Sequence, residues 1–192
     1  MKRPATSSIV VFVVILLVTA LIVAAVGLGT DGATAITVGD RSVSAATVND
    51  ELAQWAAFAP AEAKTTPGAV ASQAGAGIAN QIVYELLAEQ FLAAEGERVT
   101  QADRAEAAAS VAQVRRQFEE RPQWFQDRYL RRLAVFTALT RVAGEDDRGT
   151  GELRVLRRQA RRAGVTVDPA YGRWGQVRAQ VTPYPTPFTP QG

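Results

Sequence analysis

The side chains that could do chemistry in this chain are carboxylates and hydroxyls, because the sequence contains neither cysteine nor histidine. A thiol nucleophile, an imidazole general base and the usual ligands of zinc are therefore missing. The Asp, Glu, Ser and Thr residues form no G-x-S-x-G or S-x-x-K motif and no calcium-binding loop, and Gly75-Ala76-Gly77 is too short to cradle a phosphate. We predict that the protein is not an enzyme and has no catalytic residues, no metal site and no cofactor.

The net charge is small, but the charge is unevenly distributed along the chain. The excess of +2 equals the charge of Lys2 and Arg3 alone, so it gives no argument for a nucleic-acid partner. Residues 31–147 carry 11 basic and 17 acidic groups, a net charge of −6, whereas residues 148–192 carry 8 and 2, a net charge of +6. We expect these two parts of opposite sign to attract each other.

The N-terminus contains an uncharged segment of 20 residues, Ile9 to Leu28, directly after two cations. A helix of this length spans roughly 30 Å, the thickness of a bilayer core. The sequence predicts a cytoplasmic segment 1–8, a transmembrane helix 9–28 and an extracytoplasmic remainder. A cleaved secretory signal is the alternative, since Ala33-Thr34-Ala35 has the form of a cleavage site, but signal sequences have shorter apolar segments.

The exported part begins with the pattern of a β-hairpin followed by a helix. Two short extended runs, 35–38 and 41–43, flank Gly39-Asp40 and predict a hairpin with a tight turn. Ser44 is a suitable N-cap for a helix to about Ala59, which Pro60 ends.

The middle of the sequence predicts further helices separated by breaks. Residues 60–77 are rich in Ala, Gly, Pro and Thr and predict a loose loop. A long helix with a wide apolar face follows and ends at Gly96. Thr100 to Asp103 resembles a capping box that opens a helix over about 101–120. The apolar face of the long helix comprises Ile78, Ile82, Val83, Leu86, Leu87 and Phe91.

The last predicted helix is rich in arginine. Its apolar side carries Leu153, Leu156 and Ala160. One interpretation of its cationic side is contact with anionic lipid headgroups. The other, which we favour because outer leaflets attract cations less, is a solvated face that pairs with acidic helices nearby. The arginines are Arg154, Arg157, Arg158, Arg161 and Arg162.

The C-terminal region predicts a short strand and then a tail. Val165–Val167 is β-branched, and we expect it to pair with Ile36–Val38 because both runs would otherwise lack hydrogen-bonding partners. The prolines from Thr182 onward exclude a helix or a central strand, so residues 176–192 are predicted to form a disordered, extended tail. Its threonines are plausible O-glycosylation acceptors, and its aromatic residues leave open an insertion into a cleft of the same chain.

Three segments in this order resemble the SurA N-terminal chaperone domain of SurA- and PrsA-like extracytoplasmic foldases, in its actinobacterial form. Residues 36–44 are similar to the opening hairpin of that family, although Gly39-Asp40 replaces the usual Asn-Gly. Residues 78–100 resemble its Leu/Ile-rich helix and the cap that follows, and residues 163–174 its closing strand. The resemblance extends over 35–175 and implies a mainly α domain with a small β element that joins its two ends.

The chain departs from full foldases because the interval 144–151 cannot contain a parvulin domain. The resemblance therefore implies a membrane-anchored, ATP-independent chaperone-like protein that binds unfolded or exported polypeptides without isomerising proline. Aromatic side chains in a shallow cleft would suit such clients. The alternative function is an envelope scaffold or adaptor for one specific partner protein. The candidate client-binding residues are Trp55, Phe58, Trp124, Phe125 and Tyr129.

Overall fold

The computed structural model describes residues 32–56, 69–112, 115–144 and 151–184. These residues form six α-helices and five short β-strands, which confirms a mainly helical protein with a small β element. They belong to two compact units. The helical unit comprises the described residues of Tyr84–Ala163, and the sheet unit those of 32–83 and 164–184.

The sheet unit contains the predicted hairpin and the predicted pairing of distant strands. Strands β1 (Thr34–Val38) and β2 (Arg41–Ser44) are antiparallel, and β3 (Val165–Val167) lies antiparallel on the other side of β1. Asp168 N donates to Ala35 O at 2.7 Å, extending the pairing beyond β3. The paired positions are Ile36 with Val167, Thr37 with Thr166 and Val38 with Val165.

Helix α1 (Ala45–Ala56) begins directly after β2. Thr47 N donates to Ser44 Oγ at 3.2 Å, so Ser44 caps the helix as predicted. Val48 and Leu52 are buried, whereas the predicted stop at Pro60 lies outside the described residues.

Helix α2 (Ala69–Ala94) is longer than the sequence analysis predicted. All six residues of its predicted apolar face are buried. The prediction of a loop over 60–77 is wrong for residues 69–77, which are helical, because the abundant alanine there outweighs the cost of two glycines. After α2, Gly96 adopts φ +71°, and Glu97 N donates to Leu92 O at 2.8 Å, which is the predicted glycine-capped end.

The single helix predicted over 101–120 is two helices, α3 (Gln101–Ser110) and α4 (Arg115–Glu119). The predicted capping box is present at the start of α3, where Thr100 and Asp103 each accept from the other's backbone N–H. At its end Ser110 Oγ donates to Ala107 O at 2.7 Å, a local bond that competes with helix continuation.

The helical unit is completed by α5 (Gln123–Ala143), which starts after Pro122, and α6 (Gly151–Ala163). Val155, Leu156 and Ala160 form the buried side of α6.

A second hairpin in the sheet unit was not predicted. Strands β4 (Arg173–Gly175) and β5 (Gln180–Thr182) pair antiparallel after a 3₁₀ turn over Pro169–Tyr171. Asn80 on α2 holds β5, because its side chain donates to Val181 O at 2.9 Å and accepts from Val181 N at 2.6 Å. The prediction of a disordered tail from residue 176 is therefore wrong for 176–182, and residues 185–192 lie outside the described part.

Among the helices of the described residues, none has the length and hydropathy needed to cross a bilayer. The transmembrane helix predicted at 9–28 lies outside these residues and stays a prediction.

Two glycines of the sheet unit give a test with opposite signs. Gly172 has φ +124°, and a Cβ there would lie 2.6 Å from Thr182 O, whereas a Cβ at Gly75 in α2 would meet nothing closer than 3.9 Å. We expect Gly172→Ala to lower the free energy of unfolding by about 2 kcal/mol or more. Gly75→Ala should raise it by about 0.5–1 kcal/mol. Chemical denaturation followed by circular dichroism measures both, and equal effects of the two variants would contradict the assignment of strain to Gly172.

Candidate binding cleft

Two neighbouring arginines of α5 bind carboxylates of α2 within the helical unit. Arg132 Nε lies 2.9 Å from Glu85 Oε2, and these side chains are only 3% and 10% exposed. Arg131 Nη2 lies 2.7 Å from Glu89 Oε1, and the hydrogen bond from Arg131 to Glu89 raises the pKa of the guanidinium further. The Arg132–Glu85 ion pair is buried, and the Arg131–Glu89 ion pair lies at the surface. The two pairs therefore fix the distance between α2 and α5 both in the core and at the surface.

A third arginine of α5, Arg141, holds the segment between α2 and α3. Its Nη1 lies 3.1 Å from Glu97 Oε2, its Nε lies 3.3 Å from Asp103 Oδ1, and its Nη2 donates to Arg98 O at 3.1 Å. One guanidinium therefore binds a carboxylate and a backbone carbonyl of this segment, and a carboxylate in the first turn of α3.

Asp103 joins the helix cap to the arginine. Burial alone would raise the pKa of its carboxyl, but the backbone N–H of Thr100 and the side chain of Arg141 outweigh burial and hold the pKa below its ordinary value. The Thr100 N–H donates to Asp103 Oδ2 at 2.7 Å. The ionised carboxylate is thus the form that the fold stabilises.

The segment that Arg141 holds forms one wall of a cleft of about 660 Å³ in the helical unit. The other walls are the end of α2, the first turn of α3 and the middle of α5. Buried or half-buried apolar side chains form much of the lining, and six charged side chains complete it. The apolar lining residues are Leu92, Ala93, Val99, Leu130, Ala134 and Val135, and the charged ones are Glu89, Glu97, Arg98, Arg104, Asp127 and Arg131.

The charges that line the cleft are only partly neutralised by the side chains around them. Glu89 and Glu97 bind arginines of α5, and Asp127 Oδ1 accepts from Gln123 Nε2 at 2.7 Å. Arg98 and Arg104 have exposed side chains with no carboxylate partner among the residues that the structure describes. The cleft thus combines an apolar lining with two cations that are available to a ligand.

The residues predicted to bind clients differ in burial and in their position in the fold. Phe125 and Tyr129 are buried, at 2% and 8% exposure, and their rings are stacked at 6.3 Å. Trp124 is 43% exposed and meets Phe125 edge-on at 5.9 Å. Trp55 is half-buried in α1 of the sheet unit, and Phe58 lies outside the described residues. None of the four described residues lines the cleft, so their role in client binding stays a prediction.

Tyr129 is buried, and the packing of its ring helps to hold α5 in position. Its ring packs 5.6 Å from that of Phe118 on α4. Burial raises the pKa of its phenol to about 12, although the nearby Arg132 acts in the opposite direction. The neutral phenol therefore persists across the physiological range.

The lining residues of α5 were missed because the sequence analysis selected large aromatic side chains. Asp127, Leu130, Arg131 and Ala134 follow the spacing i, i+3, i+4, i+7 and so share one helix face. A search for a mixed face of aliphatic and charged residues at this spacing would have found them. Residues 97–99 also line the cleft, but no periodic pattern in the sequence indicates this, because only the fold brings them to it.

Comparison of the chain with known protein families, with curated proteins and with solved structures finds no match. The resemblance to SurA-like domains therefore stays a prediction from three sequence segments.

The buried contact between Glu85 and Arg132 predicts a strongly non-additive effect of mutation. Arg132→Met should lower the free energy of unfolding by about 3–5 kcal/mol, because it leaves the Glu85 carboxylate buried without its counterion. The double variant Glu85→Leu/Arg132→Met should recover most of this loss. The control Arg131→Gln removes a partner that is 64% exposed and should cost less than about 1 kcal/mol. Urea denaturation measures all three, and additive losses in the double variant would refute the argument.

The lowered pKa of Asp103 predicts a pH dependence of stability. The pKa of this carboxyl is lower in the folded chain than in the unfolded chain, where it is about 4. The carboxylate therefore stabilises the fold above about pH 4, and this contribution is lost as the pH falls through the pKa of the folded state. Asp103→Asn should therefore lower the free energy of unfolding at pH 7 by about 1 kcal/mol. The difference from the unmodified chain should shrink at pH 3. Glu106→Gln, at an exposed position of the same helix, is the control, and a pH-independent deficit of Asp103→Asn would contradict the prediction.

Proposed function

We propose that the cleft binds extended segments of unfolded or exported polypeptides, and that the chain is a membrane-anchored, ATP-independent chaperone-like protein without isomerase activity. The observation that carries this proposal is the cleft of about 660 Å³, with its aliphatic lining and charged rim. Its volume lies in the range of pockets that hold several side chains or a small ligand.

The chemistry of the lining suits a ligand of variable sequence. Aliphatic side chains such as Leu92, Leu130 and Val135 offer contact area without directional demands, because the hydrophobic effect is non-directional. Neither a nucleophile–base pair nor a phosphate-binding loop accompanies them in the lining. Binding without a chemical step is the activity that such a surface supports.

The rim adds a polar component that an extended peptide can use. Arg98 and Arg104 are able to bind backbone carbonyls or acidic side chains of a client, because guanidinium groups donate several hydrogen bonds in a planar array. Trp124, exposed on α5, is the predicted aromatic contact that remains accessible. Phe125 and Tyr129 contribute to binding indirectly, by supporting the helix that lines the cleft.

The location that we propose follows from the sequence alone. The apolar segment 9–28 would anchor the chain in the cytoplasmic membrane with its N-terminus inside and the two units outside. Clients would then be polypeptides that have crossed the membrane. A cleaved signal would give the same compartment without the anchor.

Two half-buried leucines of the helical unit test whether the cleft binds clients. Leu130 lines the cleft and Leu153 on α6 does not. Leu130→Glu should raise the concentration of the full chain that half-protects an aggregating client about tenfold, because a buried leucine contact contributes about 1.5–3 kcal/mol. Leu153→Glu should leave protection unchanged. Light scattering of several unrelated unfolded proteins, with the chain in lipid nanodiscs and empty nanodiscs as blank, measures this effect.

The same assay separates the proposed function from the scaffold alternative. Protection of several unrelated clients, weakened only by Leu130→Glu, supports the chaperone-like function. No protection of any client, together with one stoichiometric partner after crosslinking in the native membrane, would replace it with the scaffold. Equal effects of the two leucine variants would show that the cleft is not the binding site.

A further inference from the structure

The polar side of α6 consists of arginines on a single helix face. Arg154, Arg157, Arg158, Arg161 and Arg162 follow the spacing i, i+3, i+4, i+7, i+8, and all five are exposed. From first to last they extend along about 12 Å of helix. We call this set the arginine face.

Four of the five arginines of the arginine face are not neutralised by carboxylates of the helical unit. Glu85, Glu89, Glu97 and Asp103 bind arginines of α5 instead. Arg157, Arg158, Arg161 and Arg162 have no carboxylate partner among the described residues. The pairing with acidic helices that the sequence analysis favoured is therefore not observed for these four arginines.

We propose that the arginine face binds a membrane surface that contains anionic phospholipid headgroups. Guanidinium groups bind phosphate oxygens through paired hydrogen bonds, and several cations on one face can contact several headgroups at once. Clustered cations close to a membrane attract anionic lipids in an additive manner. Such contact goes beyond client binding, because it orients the helical unit on the membrane and involves none of the residues that line the cleft.

The mode of binding follows from the opposite side of the helix. Val155, Leu156 and Ala160 are buried within the fold, so α6 has no apolar face to insert between lipids. Binding is then electrostatic and peripheral, unlike that of amphipathic helices that insert into the interface. It should weaken steeply with ionic strength, because exposed charges are screened over about 10 Å at 0.1 M salt.

The absence of cysteine permits a direct test with single labels on the full chain. Ala163→Cys places a fluorescent donor at the end of α6, and Ala108→Cys places one on α3 at an exposed position as the control. Vesicles contain phosphatidylcholine alone or with phosphatidylglycerol, each with an acceptor on a trace of headgroups. Energy transfer from position 163 should increase with phosphatidylglycerol and reverse in high salt, and transfer from position 108 should change much less.

Matched charge variants complete the test. In the Ala163→Cys chain, Arg158→Gln/Arg161→Gln should weaken the response to phosphatidylglycerol by about fivefold for each arginine removed. Arg116→Gln/Arg178→Gln removes the same charge from exposed positions outside both the arginine face and the cleft, and it should preserve the response.

Three outcomes would overturn the proposal. The first is energy transfer from position 163 that does not depend on phosphatidylglycerol. The second is an equal loss in the two double variants, which would indicate an effect of net charge. The third is binding of an acidic polypeptide such as polyglutamate without any lipid response, which would identify an acidic protein as the partner.

Discussion

The helical unit depends on ion pairs between arginines of α5 and carboxylates of the neighbouring elements. Arg131 and Arg132 bind α2, and Arg141 binds the segment that connects α2 with α3. A buried guanidinium is costly to desolvate unless its counterion has a fixed position, so the Glu85–Arg132 contact selects one register between the two helices. The cleft exists because this register and the hold of Arg141 keep its walls apart at a set distance.

This arrangement also determines which charges remain available elsewhere. Glu85 and Glu89 of α2 and Asp103 of α3 are bound by arginines of α5, and Arg157, Arg158, Arg161 and Arg162 of α6 are exposed to solvent. The opposite net charges of residues 31–147 and 148–192 therefore do not simply cancel within the helical unit. The ion pairs that α5 makes with Glu85, Glu89 and Asp103 all lie within the acidic part of the sequence.

Local signals in the sequence predicted most of the elements but not the cleft. The sequence predicted the hairpin about Gly39, the cap at Ser44 and the capping box at Thr100, because turn and cap residues act on their immediate neighbours. It predicted the pairing of β1 with β3 because few β-branched runs were available as partners. The hairpin of β4 and β5 was missed because its position depends on the side chain of Asn80, 101 residues away from Val181. The cleft was missed for a similar reason, since residues of ordinary type become a site only when α5 and the segment after α2 are brought together.

The pairing of β1 with β3 has a consequence for the order in which the chain can fold as it is made. The three-stranded sheet needs residues 34–38 and 165–167 together, so it can be completed only after nearly all of the described chain has been synthesised. The described helical unit, in contrast, lies within the continuous stretch Tyr84–Ala163 and has its partners earlier. Contacts between distant residues form slowly because a large loop must close first. A newly made chain would therefore acquire its helical unit while the edge of β1 that faces β3 is still unpaired, and would itself need protection from aggregation during that interval.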